Sequence, residues 1–377
     1  MSNQLPLRVL SISQYGSGLL DTAALSGALA RQKEYAERLS SYTVLVPDTK
    51  SSGPIIAENL TILPIPAGNP LAFLVGAYQR ARELHAEMPF DLIMVDNPHL
   101  TGVLGVFLKY RLKIPLVVHS MADMIFNPWY RRERFSNHLK HILMRASVFF
   151  ANAVRVSTEY ECERLTSRGV PREKIAVVPF YIDTVDFSLA LSQVQALRDP
   201  MTILFVGRLS YQKDIPTLLA AMKEVKERCP AARLRIVGSG ELERALRAHT
   251  ASLSIADAVT FTGAMPYASI AKEFKKATVF ALPSLYEGTC MVLHEAALAG
   301  LPLVSTDVAG AHDFIRDGVE GFLVPVRDAH ALSVALIKVL NDAELQQKLG
   351  EASTRRMAAF TKEKALTAFS ELCTRFV

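Results

Sequence analysis

Two glutamates, Glu287 and Glu295, stand with seven residues between them in the segment EGTCMVLHE. The first follows an apolar run, Thr278–Leu282, that predicts a strand, and the second lies in a predicted helix, Met291–Ala299. Gly288 would let the backbone approach a ligand closely, and the free N–H groups at the start of the helix would attract an anion. We therefore expect a ligand that carries both phosphate and hydroxyl groups, as a sugar nucleotide does.

The helix that carries Glu295 is rich in small apolar residues, which indicates tight packing. A buried carboxylate needs a partner because an unpaired charge away from water is costly. Ribose hydroxyls could be the hydrogen-bond partners of Glu295. Alternatively, Glu295 is an exposed helix residue that needs no ligand.

Two cations, Arg208 and Lys213, come directly after the predicted strand Thr202–Val206. At the carboxyl end of that strand, the planar guanidinium of Arg208 could bind two oxygens of a phosphate, while Lys213 would act as a point charge. Two solvated loop cations are the alternative.

Glycine-bearing loops follow the next two predicted strands. Gly238-Ser239-Gly240 repeats the strand–turn–helix geometry, and the loop with Gly263 and Met265 could present backbone groups to a nucleobase. Each loop taken alone is equally consistent with an ordinary turn.

Apolar strand-like runs alternate with helical patterns along the chain, which predicts parallel sheets joined by crossover helices. The length of 377 residues points to two domains. We expect a polar, helix-poor connector from Asp183 to Pro200 and two doubly wound α/β domains that face a cleft, with ligands beyond the carboxyl ends of the strands. The predicted strands are Leu7–Ile12, Tyr42–Val46, Asp91–Val95, Pro115–His119, Ala153–Val156, Ile175–Pro179, Thr202–Val206, Leu234–Val237, Val259–Phe261, Thr278–Leu282, Leu303–Ser305 and Phe322–Val324.

The order and spacing of these motifs resemble the retaining glycosyltransferases of family 4. The resemblance rests on Val206–Leu209 with Lys213, on Ile236–Gly240, on Pro283–Gly288 and on Glu295-Ala296. It implies the GT-B fold, α/β in class, with two Rossmann-like domains facing a central cleft. It further implies an acceptor-side domain at 1–185, a domain that binds the nucleotide sugar at 186–357, and a helix at 358–377 that crosses back to the first domain.

The resemblance also assigns roles to residues. Arg208 and Lys213 would bind the diphosphate, Glu295 the ribose and Glu287 the hydroxyls of the donor sugar, while His119 would be a cleft histidine near that sugar. The Gly16–Gly18 loop would face the diphosphate from the first domain. The implied catalytic residues are His119, Arg208, Lys213 and Glu287, and the implied donor-binding residues are Gly16, Gly18, Gly207, Gly238, Gly240, Met265, Gly288, Thr289, Cys290, Met291, Val292 and Glu295.

The implied chemistry is front-face transfer of a sugar from a UDP- or GDP-linked donor to a saccharide or lipid-linked saccharide in cell-surface glycan assembly. The leaving phosphate helps to deprotonate the acceptor, and cations with a helix N-terminus stabilise it. No metal, cofactor or protein nucleophile is then required, since the nucleotide sugar is a co-substrate. The chain has no Asp-x-Asp motif, and Asp96-Asn97-Pro98 suits the acceptor side or a structural role.

Two other functions compete with this one. An inactive sugar-nucleotide-binding or scaffold protein of the same fold is opposed by the retention of Arg208, Lys213, Glu287 and Glu295. A dinucleotide-dependent oxidoreductase would need a third glycine after Gly16-Ser17-Gly18, which continues as Leu-Leu-Asp.

Four places depart from the family pattern, and one of them is the N-terminal Gly16-Ser17-Gly18 loop, which lacks the typical flanking residues. Asp214 stands where glycine is common after the lysine, Pro179-Phe180-Tyr181 replaces Pro-Asn-Gly, and Ala309–Asp313 replaces a glycine pair followed by glutamate. These departures leave the donor sugar and the acceptor open.

Composition further limits the classes of protein to which the chain could belong. The net charge of +5 comes without a basic stripe or recognition module, so we expect no nucleic-acid partner. The four scattered cysteines predict reduced thiols. Without a signal-peptide pattern or a long apolar span we expect a cytoplasmic protein. The basic, aromatic segment 129–145 suits an anionic membrane surface, and hence peripheral attachment, or else a solvated helix packed on its own domain.

Overall fold

The computed structural model describes residues 4–14, 19–20, 27–50, 52–181, 184–195 and 198–376. The chain divides into two compact units. Unit 1 comprises Met1–Phe180 with Lys362–Val377, and unit 2 comprises Tyr181–Thr361. The boundaries predicted from the sequence lie after residues 185 and 357. Within the described residues no helix combines the length and the apolarity needed to cross a bilayer.

Unit 1 is built on a sheet with the strand order β3-β4-β2-β1-β5-β6-β7-β8. All neighbouring strands pair in parallel except β3, which runs antiparallel to β4. The strands are Leu5–Ile12 (β1), Leu39–Asp48 (β2), Ile55–Ala57 (β3), Leu60–Pro66 (β4), Leu92–Val95 (β5), Leu116–His119 (β6), Ala153–Val156 (β7) and Ile175–Val177 (β8). The described helices are Gly27–Glu37 (α1), Pro70–Glu87 (α2), Leu100–Leu112 (α3), Pro128–Glu133 (α4), Ser136–Phe150 (α5) and Glu159–Ser167 (α6).

Helices cover both faces of this sheet, so successive residues of its strands enter different cores. Val9 and Val44 belong to one buried cluster, whereas Leu10 and Leu45 belong to the other. This alternation follows from the twofold period of side chains along a strand. It explains why neighbouring residues of these strands, such as Val9 with Leu10 and Val44 with Leu45, are both apolar, as is typical of parallel sheets.

The last helix of the chain, Lys362–Thr374, belongs to unit 1. Phe369 is fully buried, and its ring stacks on that of Tyr35 with the centroids 4.2 Å apart. Leu366, Leu372 and Cys373 join the same cluster as Val9. The helix therefore completes the core of unit 1.

Unit 2 is a six-stranded parallel sheet with the order β11-β10-β9-β12-β13-β14. The order reverses between β9 and β12, which is the doubly wound arrangement, and the carboxyl ends of the strands form the usual ligand edge. Its strands are Thr202–Val206 (β9), Arg233–Val237 (β10), Val259–Gly263 (β11), Val279–Leu282 (β12), Leu303–Thr306 (β13) and Gly321–Val324 (β14). Its helices are Thr184–Gln193 (α7), Ile215–Arg228 (α8), Glu243–Ser252 (α9), Tyr267–Lys276 (α10), Met291–Leu298 (α11), Ala309–Phe314 (α12), Ala329–Leu340 (α13) and Ala343–Arg356 (α14), and Lys362–Thr374 of unit 1 follows as α15.

The prediction of a helix-poor connector between residues 183 and 200 is wrong. Helix α7 occupies Thr184–Gln193, and its Phe187 is fully buried edge-on against Phe274, with the ring centroids 5.5 Å apart. Burial of Phe187 and Leu191 in the core of unit 2 explains a helix that the sequence pattern did not indicate. The sequence analysis also missed β3, β4 and α14.

Candidate functional site

The loops at the carboxyl edge of the unit 2 sheet are joined by backbone hydrogen bonds. Gly207 N–H donates to the Val237 carbonyl over 2.9 Å, and Leu209 N–H donates to the Ser239 carbonyl over 3.0 Å. Gly238 N–H donates to the carbonyl of Gly263 over 2.9 Å. The glycine loops after β9, β10 and β11 thus form one surface.

Two of these glycines are required by close backbone contact. Gly238 has a φ of +132°, and a Cβ there would lie 1.9 Å from the carbonyl oxygen of Gly207. A Cβ on Gly240 would lie 2.4 Å from the carbonyl oxygen of Leu209. The loop after β10 can pack on the loop after β9 because both positions lack a side chain.

The predicted cations stand on the loop after β9 with different surroundings. Arg208 is exposed, and its guanidinium makes no ion pair or hydrogen bond with the residues that the structure describes. Lys213 pairs through Nζ with Glu287 Oε1, and the two side chains are 15% and 9% exposed. The structure therefore brings Lys213 and Glu287, predicted from separate motifs, into direct contact.

The Glu287 carboxylate has further donors besides Lys213. Ser284 Oγ donates to Oε1 over 2.8 Å, and Gln212 Nε2 donates to Oε2 over 3.3 Å. Gln212 Nε2 also donates to the Tyr286 carbonyl over 2.8 Å, so it ties the loop after β9 to the loop after β12. These bonds satisfy a buried carboxylate and fix its orientation. Sequence reasoning missed Gln212, although it stands between Arg208 and Lys213.

The turn that leads into α11 is packed against α12. A Cβ on Gly310 would lie 2.6 Å from the Gly288 carbonyl oxygen and 2.7 Å from Cys290 N. Cys290 gives the helix no side-chain cap, and the buried Oγ1 of Thr289 has no hydrogen-bond partner among the described residues. The start of α11 therefore keeps polar groups that a ligand could satisfy.

Burial raises the pKa of the Cys290 thiol well above its usual value, and the nearby charge of Glu287 adds to the shift. A protonated, buried thiol is a poor nucleophile. Cys290 therefore has a packing role in the turn.

The remaining donor-side predictions fall on partly buried positions. Glu295 is partly buried, whereas the following Ala296 and Ala297 are fully buried, as the helix pattern predicted. Met265 and Val292 pack against the core of unit 2. Met291 is partly buried at the first position of α11. Contacts of these residues with a donor stay predictions.

His119 lies in unit 1, at the end of β6, and lines a cavity of about 280 Å³. Burial lowers the pKa of its imidazole well below the usual value, and the charge of Arg155 lowers it further. The ring is therefore neutral, and its buried Nε2 has no hydrogen-bond partner among the described residues. Sequence reasoning missed Arg155, which also lines the cavity. Gly16 and Gly18 lie outside the described residues.

Asp96, from the loop considered above for the acceptor side, lines the same cavity. Ser13 Oγ donates to its Oδ2, and Gln14 N–H donates to Oδ1 over 3.3 Å. Burial nevertheless raises the pKa of Asp96 to about 7. In the described part of the chain no three His, Cys, Asp or Glu side chains cluster as metal ligands.

Two family models match this chain. The model of glycosyl transferases group 1 covers residues 190–356, and that of the glycosyl transferase 4-like domain covers residues 27–180. Together they account for most of both units. The chain belongs to the group 1 glycosyl transferases.

Relatives and solved structures agree with this membership. The amylovoran biosynthesis glycosyltransferase AmsK of Erwinia amylovora is 31% identical over 55% of this chain, and the chain spans only 50% of that relative. Sucrose-phosphate synthase from Thermosynechococcus elongatus has a similar fold, with a TM-score of 0.80 at 21% identity over 98% of both chains. Anabaena HepE in complex with UDP has a TM-score of 0.71 at 17% identity, over 98% of this chain and 99% of that one. The fold of this glycosyl transferase family member is GT-B, as the sequence resemblance implied.

One departure from the family pattern, Asp214, is explained by its backbone conformation. Asp214 follows Lys213 and has φ +40° and ψ +46°, in the left-handed region that favours glycine. Aspartate is among the side chains that tolerate this region. Here the Asp214 carboxylate also accepts a hydrogen bond of 2.7 Å from Thr217 Oγ1. The aspartate therefore keeps the turn that brings Lys213 to Glu287.

Proposed function

We propose that the protein is a retaining glycosyltransferase that moves a hexose from a nucleotide-diphospho-sugar to an acceptor hydroxyl. The observation that carries the proposal is the group of charges at the carboxyl edge of unit 2. Arg208 and Lys213 stand there beside a Glu287 carboxylate fixed by three donors, next to joined glycine loops and the start of α11.

This edge has donors left over for a diphosphate. An ammonium group has three N–H donors, and Glu287 takes one of those of Lys213. Glu287 also balances the charge of Lys213, whereas the guanidinium of the exposed Arg208 has no ion-pair partner among the described residues. Arg208 can bind two phosphate oxygens in a fork, and the N-terminus of α11 adds to the attraction.

The transfer needs no nucleophile from the protein. In the proposed step the bond between the anomeric carbon and the phosphate oxygen breaks, and the acceptor oxygen bonds to the same face of the sugar. The acceptor proton passes to the departing phosphate, whose charge Arg208 and Lys213 stabilise. The three donors on Glu287 and the protonated Cys290 make both poor nucleophiles, which favours this route. Because two cations serve the leaving group, we propose a metal-independent reaction.

The comparisons guide the choice of substrates. HepE was solved in complex with UDP, so UDP-linked sugars come first as donors and GDP-linked sugars second. AmsK belongs to amylovoran biosynthesis, which favours a saccharide or lipid-linked saccharide acceptor in cell-surface glycan assembly. The inactive sugar-nucleotide-binding alternative predicts that a donor binds without release of the nucleoside diphosphate, whereas the proposed enzyme releases it.

We expect Lys213→Ala and Glu295→Gln each to lower turnover at least about tenfold, which equals about 1.4 kcal/mol of barrier. The first removes a positive charge beside the leaving group, and the second replaces a charged acceptor of ribose hydroxyls with a neutral one, which forms weaker hydrogen bonds. The donor is first identified by thermal shift against a panel of nucleotide sugars, because a ligand of the folded state raises its stability. Turnover is then measured as release of the nucleoside diphosphate.

The matched control is Lys223→Ala, an exposed lysine on α8 of the same unit, which should turn over normally. Near-normal rates in Lys213→Ala and Glu295→Gln with the identified donor would refute the site assignment. The anomeric configuration of the product, read by NMR, tests retention separately.

A basic and apolar surface on unit 1 supports a further part of the proposal, peripheral attachment to an anionic membrane. Phe135 is 92% exposed, and Leu139, Ile142 and Phe149 on α5 are 62%, 63% and 75% exposed. Beside them lies a surface cavity of about 420 Å³. Its lining includes three arginines, Arg131, Arg145 and Arg168, and one histidine, His141. Exposed apolar anchors next to cations suit lipid headgroups and acyl chains.

A further inference from the structure

The cavity that His119 lines in unit 1 contains polar groups without partners. It has a volume of about 280 Å³. Three lining groups, His119 Nε2, Arg155 Nε and Gln32 Oε1, have no hydrogen-bond partner among the described residues, although each atom is buried. His119 and Arg155 are themselves 9% and 6% exposed. Buried polar groups without hydrogen-bond partners are rare in folded proteins, because the cost of removing them from water is then not compensated.

The same cavity has an excess of positive charge. Arg155 donates through Nη2 to the Tyr35 hydroxyl over 2.6 Å, and its guanidinium lies 5.0 Å from the centroid of that ring. Arg31 lies 4.9 Å from the ring centroid of Phe180. Within the described residues neither arginine forms an ion pair. Glu34, on the same helix as Arg31, pairs with Lys362 instead.

Asp96, the acidic residue among the described lining residues, does little to balance this charge. Its oxygens receive the hydrogen bonds of Ser13 and Gln14. Its pKa of about 7 leaves it partly protonated at neutral pH. Arg155 is buried and Arg31 is partly buried, and neither has an ion-pair partner among the described residues. Burial of a guanidinium without such a partner is costly, and an anion in the cavity would lower that cost.

We propose that this cavity recognises an anionic group, a carboxylate or a phosphate, on the acceptor sugar. Arg31 and Arg155 bind the anion, while His119 Nε2 and Gln32 Oε1 bind neighbouring hydroxyls. The volume lies at the lower limit of small-molecule sites, which begin near roughly 300 Å³, and therefore suits one sugar residue. This inference rests on the proposed function, because it concerns the acceptor of the same reaction.

The test is calorimetric titration of the full-length protein, saturated with UDP, with three probes. Methyl glucuronide carries a carboxylate, glucose 6-phosphate carries a phosphate, and methyl glucoside is neutral. At least one anionic probe should bind about tenfold more tightly than the neutral probe, as two charge-assisted contacts would give. The tighter of the two anions identifies the acceptor group.

Two variants and a control separate recognition from folding. Arg31→Gln, at a partly buried position, should remove the roughly tenfold preference for the anion, and Arg155→Gln should do the same. Arg80→Gln, on an exposed face of α2, should keep the preference. The inference is overturned if the neutral probe binds as well as both anions, if no probe binds while UDP does, or if Arg31→Gln keeps the preference. Failure of both UDP and GDP to bind would instead refute the proposed function, and this inference with it.

Discussion

Individual backbone positions shape the carboxyl edge of the unit 2 sheet as much as its charged side chains do. At Gly238 a Cβ would lie 1.9 Å from a carbonyl oxygen, and the φ of +132° disfavours any side chain. We expect Gly238→Ala to lower the free energy of unfolding of unit 2 by roughly 2–4 kcal/mol, from overpacking together with backbone strain. Urea denaturation measures the change.

Gly318→Ala is the matched control for Gly238→Ala in the same unit. Gly318 also has a positive φ, +76°, but a Cβ there would meet nothing within 4 Å. Gly318→Ala should therefore lower the free energy of unfolding only through backbone strain, by about 1 kcal/mol. Equal losses in the two variants would show that contact with the loop after β9 is unimportant.

The sequence predicted which charged residues lie at this edge and which loops carry them. It did not predict that Lys213 and Glu287 form an ion pair. Lys213 and Glu287 stand 74 positions apart, and sequence spacing does not give the distance between two residues across three crossover connections. The resemblance assigned Glu287 to the sugar, whereas the structure also gives it Lys213, Gln212 and Ser284 as donors. Arg155 was missed because an arginine inside an apolar strand has no motif around it.

Elements with a strong local pattern were predicted well. Helix α8 runs from Ile215 to Arg228, and an amphipathic sequence pattern indicates a helix along this whole length. Helix α7 was missed because its apolar residues matter only against Phe274, a contact with a distant part of the chain. The edge strand β3 has three residues, too few for a periodic pattern.

Helix α5 is the element on which membrane attachment would depend. Anionic lipid would attract its neighbouring arginines, and Leu139 and Ile142 would enter the interface, where buried apolar area adds to binding. We expect the protein to float with liposomes that contain phosphatidylglycerol and not with phosphatidylcholine alone. The double variant Leu139→Asp with Ile142→Asp should float at least about fivefold less, since charge replaces two apolar anchors.

Val334→Asp provides the control for this flotation experiment. Val334 is also exposed, at 49%, but lies on α13 of unit 2. It should float like the unaltered protein. Equal recovery with both lipids, or no flotation at all, would remove the case for a membrane surface.

The molecule as a whole has separate cores, one in unit 2 and two in unit 1. The chain begins in unit 1, passes through unit 2 and returns to unit 1 with α15. Burial of Phe369 therefore links the end of the chain to the stability of the unit in which the chain begins. Because the described residues form no buried cluster common to both units, we expect the two units to unfold in two calorimetric transitions.

Phe369→Ala tests this separation. Removal of a fully buried phenylalanine costs about 3–5 kcal/mol, which should lower the transition of unit 1 by roughly 10 °C and leave that of unit 2 in place. Phe280→Ala, an equally buried position on β12, should show the reverse. UDP should raise the transition of unit 2 alone, because a ligand stabilises the unit that binds it. A single transition that shifts alike in both variants would instead mean that the two units unfold as one cooperative body.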